Sequence, residues 1–153
     1  MGDAVMERDA VGAGAKSGKP ADAAWVTPYL MVRDVVAAVA FYEAAFGFGR
    51  QDMNPGPDGV PSHAAMTWDD GRIMMGRQGA YGGTTMSPTT SGAACPVTIY
   101  VYCPDVDALA ARAAAAGAEV RFGPADVFYG DRICHLVDPD GYSWCFATRA
   151  AGG

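Results

Sequence analysis

The hydrophobic positions of the chain change their period several times, and these changes divide it into short elements. Residues 35–46 and 106–116 carry apolar side chains at helical spacing, and each segment follows an aspartate that can cap a helix, Asp34 or Asp105. Shorter apolar runs bounded by turn residues predict strands. We expect strands at 26–32, 49–52, 63–69, 72–77, 97–102, 119–123, 132–137 and 142–147.

The same order of elements occurs twice. The two capping aspartates are 71 residues apart, and the turns Asp70-Gly71 and Asp140-Gly141 are 70 apart. An internal repeat of strand, helix and three strands predicts an α+β fold of two βαβββ modules. Because neither module can bury its sheet alone, we expect the pair to form a curved mixed sheet around a concave cleft.

These elements give one domain at residues 25–148, with module 1 at about 25–77 and module 2 at about 95–148. The linker at 78–94 is rich in Gly, Ser and Thr, which predicts a loop. Residues 1–24 show no sustained period and are predicted to be a disordered tail, and 149–153 form a second tail.

Composition excludes several partners. The 153 residues are 50% hydrophobic with a net charge of −6, and 11 Lys and Arg form no basic stripe for nucleic acid or anionic membranes. No apolar run is long enough to span a bilayer, so we expect a soluble cytoplasmic protein. The four cysteines form no CxxC pair, which favours reduced, structural thiols.

Three stretches resemble a known family. They are "VTPYLMVRDVVAAVAFYEAAFGF" (26–48), "HAAMTWDDGRIMM" (63–75) and the final "VYCPDVDALAARAAAAGAEV...YGDRICHLVDPDGYSW". Together with the repeat they are similar to the vicinal oxygen chelate superfamily of glyoxalases, bleomycin resistance proteins and extradiol dioxygenases, most closely its PhnB-like branch. The resemblance spans about 26–148 and implies a homodimer, either side by side or with exchanged modules.

The family's divalent metal is held by side chains on the first and last strands of each module. Carried over by register, these positions fall on Thr27, Met74, Thr98 and Cys145. None is His, Glu, Asp or Gln, so no metal cofactor is expected. His63 and His135 lie on strands that the family does not use for metal. Each histidine is interpreted as making a structural hydrogen bond. The alternatives are that His63 lines the mouth of the cleft, that either histidine acts as a general base, or that the two bind a metal together.

Strand alternation selects the side chains that would line the cleft. Thr98 marks the ligand face, which places Trp144 on the opposite face under a helix. In the loop "FYGDR" (128–132) one interpretation is a surface pair of Asp131 and Arg132, and the other is a cleft rim whose arginine meets an anionic ligand group. The predicted ligand-binding residues are Tyr29, His63, Met74, Thr98, Tyr100, Tyr102, Tyr129, Arg132 and Cys145.

Such a surface of aromatic rings, hydroxyls, a thioether and a thiol suits a flat or hydrophobic organic molecule. The sequence therefore predicts a metal-free protein that binds an antibiotic-like or aromatic small molecule. The alternative is a lyase, isomerase or dioxygenase of the glyoxalase type, because the same fold carries out all of these reactions.

Overall fold

Each half of the chain folds into one βαβββ module in the computed structural model, which describes residues 18–151. Module 1 consists of β1 (Tyr29–Val32), α1 (Val35–Phe46), β2 (Gly49–Pro55), β3 (Pro61–Trp68) and β4 (Gly71–Arg77). A short helix, α2 (Pro88–Ser91), lies in the connector. Module 2 consists of β5 (Thr98–Tyr102), α3 (Val106–Ala116), β6 (Glu119–Asp126), β7 (Asp131–Val137) and β8 (Ser143–Arg149). The predicted α+β architecture of two repeated modules is confirmed.

The two long helices begin and end as the sequence predicts. The Asp34 carboxylate accepts a hydrogen bond from the Ala37 backbone N–H at 3.0 Å, and Asp105 accepts one from Ala108 at 3.0 Å. Each helix ends at a glycine in the left-handed region, Gly47 at φ 78° or Gly117 at φ 110°, where a side chain would be strained. Equivalent caps at both ends explain why the two helices have nearly equal lengths.

The eight strands form two four-stranded sheets, in the orders β1-β4-β3-β2 and β5-β8-β7-β6. In each sheet the first strand pairs in parallel with the last, and the remaining pairs are antiparallel. Tyr29 lies opposite Met74 in the first sheet, and Tyr100 lies opposite Cys145 in the second. The two modules therefore share one register as well as one topology.

One hydrophobic core joins the modules, because α1 and α3 pack on each other and on the inward faces of the sheets. The ring centroids of Tyr42 and Phe46 on α1 lie 5.5 Å and 5.1 Å from that of Trp144 on β8. Trp144 is fully buried, as its predicted position under a helix requires. The opposite faces of the two sheets point away from this core.

Side chains of one module cover the free edge of the other. The Tyr142 hydroxyl donates to the Met31 carbonyl at 2.9 Å and accepts from the Met31 N–H at 2.8 Å, at the edge of β1. Trp68 Nε1 donates to the Tyr102 carbonyl at 2.9 Å, at the edge of β5. These contacts satisfy backbone groups that an uncovered edge strand would leave unpaired.

The structure differs from the predicted boundaries at the ends of the domain. Thr27 precedes the first strand, which begins only at Tyr29, and β8 continues to Arg149, one residue into the predicted tail. Residues 18–24 of the predicted N-terminal tail include turns, and Asp22 accepts hydrogen bonds from Gln51. The rest of that tail, 1–17, lies outside the described residues.

Candidate ligand-binding site

The outward face of the second sheet carries an aromatic surface built on β5. Tyr100 and Tyr102 alternate onto this face and are 43% and 51% exposed. Their hydroxyls donate to the same oxygen of Asp131, Oδ2, at 2.7 Å and 2.9 Å. Because β8 lies between β5 and β7 in the sheet, the two side chains extend across β8 to reach this carboxylate. Their rings are held in place at one end and open to solvent.

Asp131 is the buried anchor of this surface, with 2% of its area exposed. Arg149 Nε lies 3.0 Å from Oδ1 of the same carboxylate, which balances its charge. Hydrogen bonds from Tyr100 and Tyr102, together with Arg149, lower the pKa of Asp131 below its ordinary value. Burial and hydrogen bonding to Tyr129 and Asp131 raise the pKa of Tyr100, so both partners hold the protonation state that the hydrogen bond needs.

Tyr129 lies at the end of the same surface, in the turn before β7. Its hydroxyl is 3.5 Å from that of Tyr100, and its carbonyl accepts a hydrogen bond from Arg149 at 2.7 Å. The side chain is 44% exposed. The structure therefore brings the predicted residues Tyr100, Tyr102 and Tyr129 together around Asp131.

The predicted cleft residues on β8 and its neighbours lie beneath or beside the rings. Cys145 is fully buried in a small cluster with Ile133 and Ala147, and burial raises the pKa of its thiol to about 11. Thr98 is exposed, and its hydroxyl lies 3.1 Å from that of Ser143. Cys145 thus belongs to the floor under the tyrosines, where a bound molecule would not touch the sulfur.

The outward face of the first sheet carries a second polar group. The Tyr29 hydroxyl and His63 Nδ1 are hydrogen-bonded at 3.2 Å, and Asp52 Oδ1 lies 3.7 Å from His63 Nε2. This buried Oδ1 atom has no hydrogen-bond partner. Tyr29 can lie this close to the sheet because Gly76 has no side chain. A Cβ at that position would be only 2.8 Å from the Tyr29 hydroxyl oxygen. Met74, opposite Tyr29, is half-buried on this face.

The histidines differ in their surroundings. His63 makes the expected side-chain hydrogen bond, whereas the bond expected for His135 is absent within residues 18–151, where its ring centroid lies 6.1 Å from that of Phe122. His135 lies directly opposite Cys145 and shares the outward face of the second sheet. The two imidazoles therefore lie on different sheets, one in each module.

Arg132 is placed away from the tyrosine surface. Its guanidinium binds both carboxylate oxygens of Asp107 on α3, at 2.7 Å and 2.9 Å, and also contacts Asp126. The interpretation of Asp131 and Arg132 as a surface pair is wrong, because Asp131 is buried and pairs with Arg149 instead. Strand alternation could have predicted that Asp131 faces the tyrosines, because it places Asp131, Ile133 and His135 on one face of β7. The observed strand starts at Asp131, one residue before the predicted one.

The four positions of the family's metal ligands do not fit a divalent ion. Thr98 shares its hydroxyl with Ser143, Cys145 is a buried neutral thiol, and Thr27 and Met74 offer a hydroxyl and a thioether. Divalent transition metals in proteins are bound by imidazole, thiolate or carboxylate groups, and the four positions offer none of these except one neutral thiol. Within residues 18–151, no three His, Cys, Asp or Glu side chains group as they would around a metal.

No helix within the same residues is long and apolar enough to cross a membrane.

Comparison with known proteins agrees with this architecture. A sequence model described as the Glyoxalase/Bleomycin resistance protein/Dioxygenase superfamily matches residues 23–146. An uncharacterized protein of Mycobacterium bovis is 38% identical over 121 residues, covering 78% of this chain and 79% of that protein. An uncharacterized protein of Mycobacterium tuberculosis H37Rv has the same identity, with 71% of that protein covered.

Two solved structures show the same fold. TioX from Micromonospora sp. ML1 is 26% identical with a TM-score of 0.66, covering 83% of this chain and 99% of that chain. TnmS3, an antibiotic binding protein from Streptomyces sp. CB03234, is 20% identical with a TM-score of 0.62, covering 86% and 100%. With its repeated βαβββ modules, the chain belongs to the glyoxalase/bleomycin resistance protein/dioxygenase superfamily.

Proposed function

We propose that the chain binds a small aromatic or antibiotic-like molecule without a metal ion. The observation that carries this proposal is the pair of exposed rings, Tyr100 and Tyr102, whose hydroxyls are fixed by the buried Asp131. Rings that are already held in place lose little conformational entropy when a ligand stacks on them. Their contact area with a flat molecule can therefore contribute fully to affinity.

The comparisons support the same class of function. The family description includes bleomycin resistance proteins, and TnmS3, which has a similar fold, is an antibiotic binding protein. The metal-free part of the proposal is supported by the side chains at the four ligand positions, which are threonines, a methionine and a buried thiol. Elemental mass spectrometry of protein purified without chelator or nickel resin should find less than about a tenth of an equivalent of any divalent metal. Near one equivalent would overturn this part.

The binding test uses isothermal titration calorimetry with bleomycin and a panel of neutral and charged polycyclic aromatic compounds. We expect saturable binding of at least one compound at one site per chain, and its loss in Tyr100→Ala and Tyr102→Ala. Tyr81→Ala is the matched control, because Tyr81 is an exposed connector tyrosine that contacts Ser62 and not Asp131. Binding that survives both β5 substitutions, or no binding by the whole panel, would refute the proposal.

We also propose that the protein is a cytoplasmic homodimer of the PhnB-like branch. Large aromatic side chains on the outward faces of both sheets, Tyr29 among them, are about half exposed in one chain, and a second copy could complete a site over them. Size-exclusion chromatography with light scattering should give twice the mass of the chain, and a monomer at micromolar concentration would overturn the dimer.

A second candidate function is acid–base catalysis of the lyase or isomerase type. It is favoured by the row of Asp52, His63 and Tyr29, in which a carboxylate lies beside an imidazole that is hydrogen-bonded to an exposed phenol. Such a row can orient an imidazole to accept a proton. If it acts in this way, a bound compound with an acidic C–H group should exchange that hydrogen with D₂O. His63→Ala should abolish the exchange without loss of binding, and equal exchange in both proteins would exclude the role.

A further inference from the structure

A cavity of about 370 Å³ lies where the two modules meet, next to the tyrosine surface. Most of its wall is apolar or aromatic and comes from both halves of the chain, with Pro28, Trp68 and Ile73 from module 1 and Tyr100 and Tyr102 from module 2. Its volume falls within the range of small-molecule sites. A ring that stacks on the two tyrosines can therefore extend into a space lined by module 1.

Arg72 on β4 lines this cavity and differs from the other arginines of the described chain. Six of these are in ion pairs with carboxylates, and Arg112 donates to the Ala45 carbonyl. No ion pair within residues 18–151 includes Arg72, and its Nε atom is buried without a hydrogen-bond partner. Because Nε is covered, an acceptor that enters the cavity would bind the terminal N–H groups of the guanidinium, which carry its other donors, and would compensate part of the cost of burying this charge.

Two carboxylates also line the cavity, Asp69 and Asp70 in the turn between β3 and β4. Both residues are exposed, and neither forms an ion pair with Arg72. Water and salt screen exposed charges, whereas a contact with the partly buried guanidinium is screened less. The carboxylates therefore reduce the attraction of the cavity for anions but leave the guanidinium free to bind one directly.

We propose that Arg72 binds an anionic oxygen of the ligand, a carboxylate in the simplest case, while the aromatic part of the same molecule lies on Tyr100 and Tyr102. The inference rests on the proposed binding function and narrows the ligand class to anionic aromatic compounds. The planar guanidinium suits a carboxylate because it can donate two parallel hydrogen bonds. One interpretation of the sequence placed such an anion contact at Arg132, and the proposal assigns it instead to Arg72, which forms no ion pair within residues 18–151.

The test compares 2-naphthoate with its neutral analogue 2-naphthamide, with affinities measured by NMR titration of the full chain. The native protein should bind the acid at least about tenfold more tightly than the amide, the ratio expected for one hydrogen bond to a charged group. Arg72→Gln should remove this preference while leaving amide binding within about twofold, and Arg72→Lys should keep part of it. Arg121→Gln is the matched control, because Arg121 is exposed and pairs with Glu119.

The outcomes separate this inference from the function on which it rests. Equal affinity for acid and amide, or a preference that survives in a folded Arg72→Gln variant, overturns the role of Arg72 and leaves aromatic binding in place. Failure of the native protein to bind either compound, together with a negative calorimetric panel, overturns both. Circular dichroism of each variant confirms that it is folded before affinities are compared.

Discussion

Removal of a single hydroxyl by Tyr42→Phe tests how the two modules are held together. Tyr42 lies on α1 of module 1, and its hydroxyl donates to Asp138 Oδ2 in module 2 at 2.6 Å. Trp144 Nε1 donates to the same oxygen at 2.9 Å, and Oδ1 accepts backbone N–H groups of Asp140 and Tyr142 at 3.0 Å and 2.9 Å. Tyr42 and Asp138 are 1% and 4% exposed, so water does not replace the lost donor.

The size of the effect follows from the charge of the acceptor. A hydrogen bond to a charged group contributes about 1.5–3 kcal/mol, and a neutral one about 0.5–1.5 kcal/mol. Phenylalanine fills the same space apart from the oxygen, and three donors to Asp138 remain. We therefore expect the free energy of unfolding to fall by about 2 kcal/mol at pH 7, within the range for a charged acceptor.

The effect should depend on pH in a defined direction. Burial raises the pKa of Asp138 above its ordinary value of 3.8, although the hydrogen bonds from Tyr42 and Trp144 act to lower it. The contribution of Asp138 to stability is thus fully present below its unfolded pKa and is lost as the pH rises through the folded pKa. The Tyr42 hydroxyl offsets part of that loss by stabilising the charged form. The cost of Tyr42→Phe should therefore shrink toward about 1 kcal/mol at about pH 3.5, because this pH lies below the raised pKa of Asp138 and most of the carboxyl groups are then protonated.

Urea denaturation followed by far-UV circular dichroism at both pH values measures these differences. Tyr81→Phe is the control, because that hydroxyl bonds the neutral Ser62 and its side chain is 71% exposed. It should change stability by less than about 0.5 kcal/mol. A Tyr42→Phe variant as stable as the control at pH 7, or one whose loss of stability grows on acidification, would refute the reasoning.

Three further substitutions test the core and the two sheet faces. Phe46→Ala removes a fully buried ring from the core and should lower the free energy of unfolding by about 3–5 kcal/mol in urea titrations, and a loss below about 1 kcal/mol would contradict the packing. Gly76→Ala should push the exposed Tyr29 ring away from His63 and lower the free energy of unfolding by no more than about 1 kcal/mol. The movement should change the NMR signal of the His63 ring, and an unchanged signal would contradict the close approach of Tyr29 to Gly76. The folded pKa of Asp131 is below its unfolded value, so its contribution is present above the unfolded pKa and is lost as the pH falls through the folded one. In Asp131→Asn the free energy of unfolding should therefore fall less steeply as the pH drops below about 4. An unchanged pH dependence would count against the hydrogen bonds of Tyr100 and Tyr102 to Asp131.

The repeat carried most of what the sequence predicted about the fold. Both helices begin and end where the aspartate caps and the glycines place them, because these are local features that a short segment specifies by itself. Strand alternation placed Tyr100 and Tyr102 on one face and Trp144 on the other for the same reason. The short helix α2 was not predicted because four residues carry no period, and the marks at its ends, Ser87 with Pro88 and Gly92, are equally common in turns.

The partners of the charged residues could not be predicted in the same way. Asp131 and Arg132 are adjacent, yet one is buried under tyrosines from β5 and the other pairs with α3, since neighbours on a strand face opposite sides. Arg72 gave no sequence signal, because only the packing of the two modules places it beside Tyr100 without an ion-pair partner among residues 18–151.

Local spacing and residue identity were enough to predict the two long helices, the eight strands, their order, the repeated module and the lack of metal-ligand residues at the family's positions. Only the folded arrangement shows which helix packs on which sheet, which carboxylate binds the tyrosine hydroxyls and which arginine forms no ion pair within residues 18–151. These contacts join residues that are distant in the chain, such as Tyr42 with Asp138, and their distances follow only from the folded arrangement of both modules.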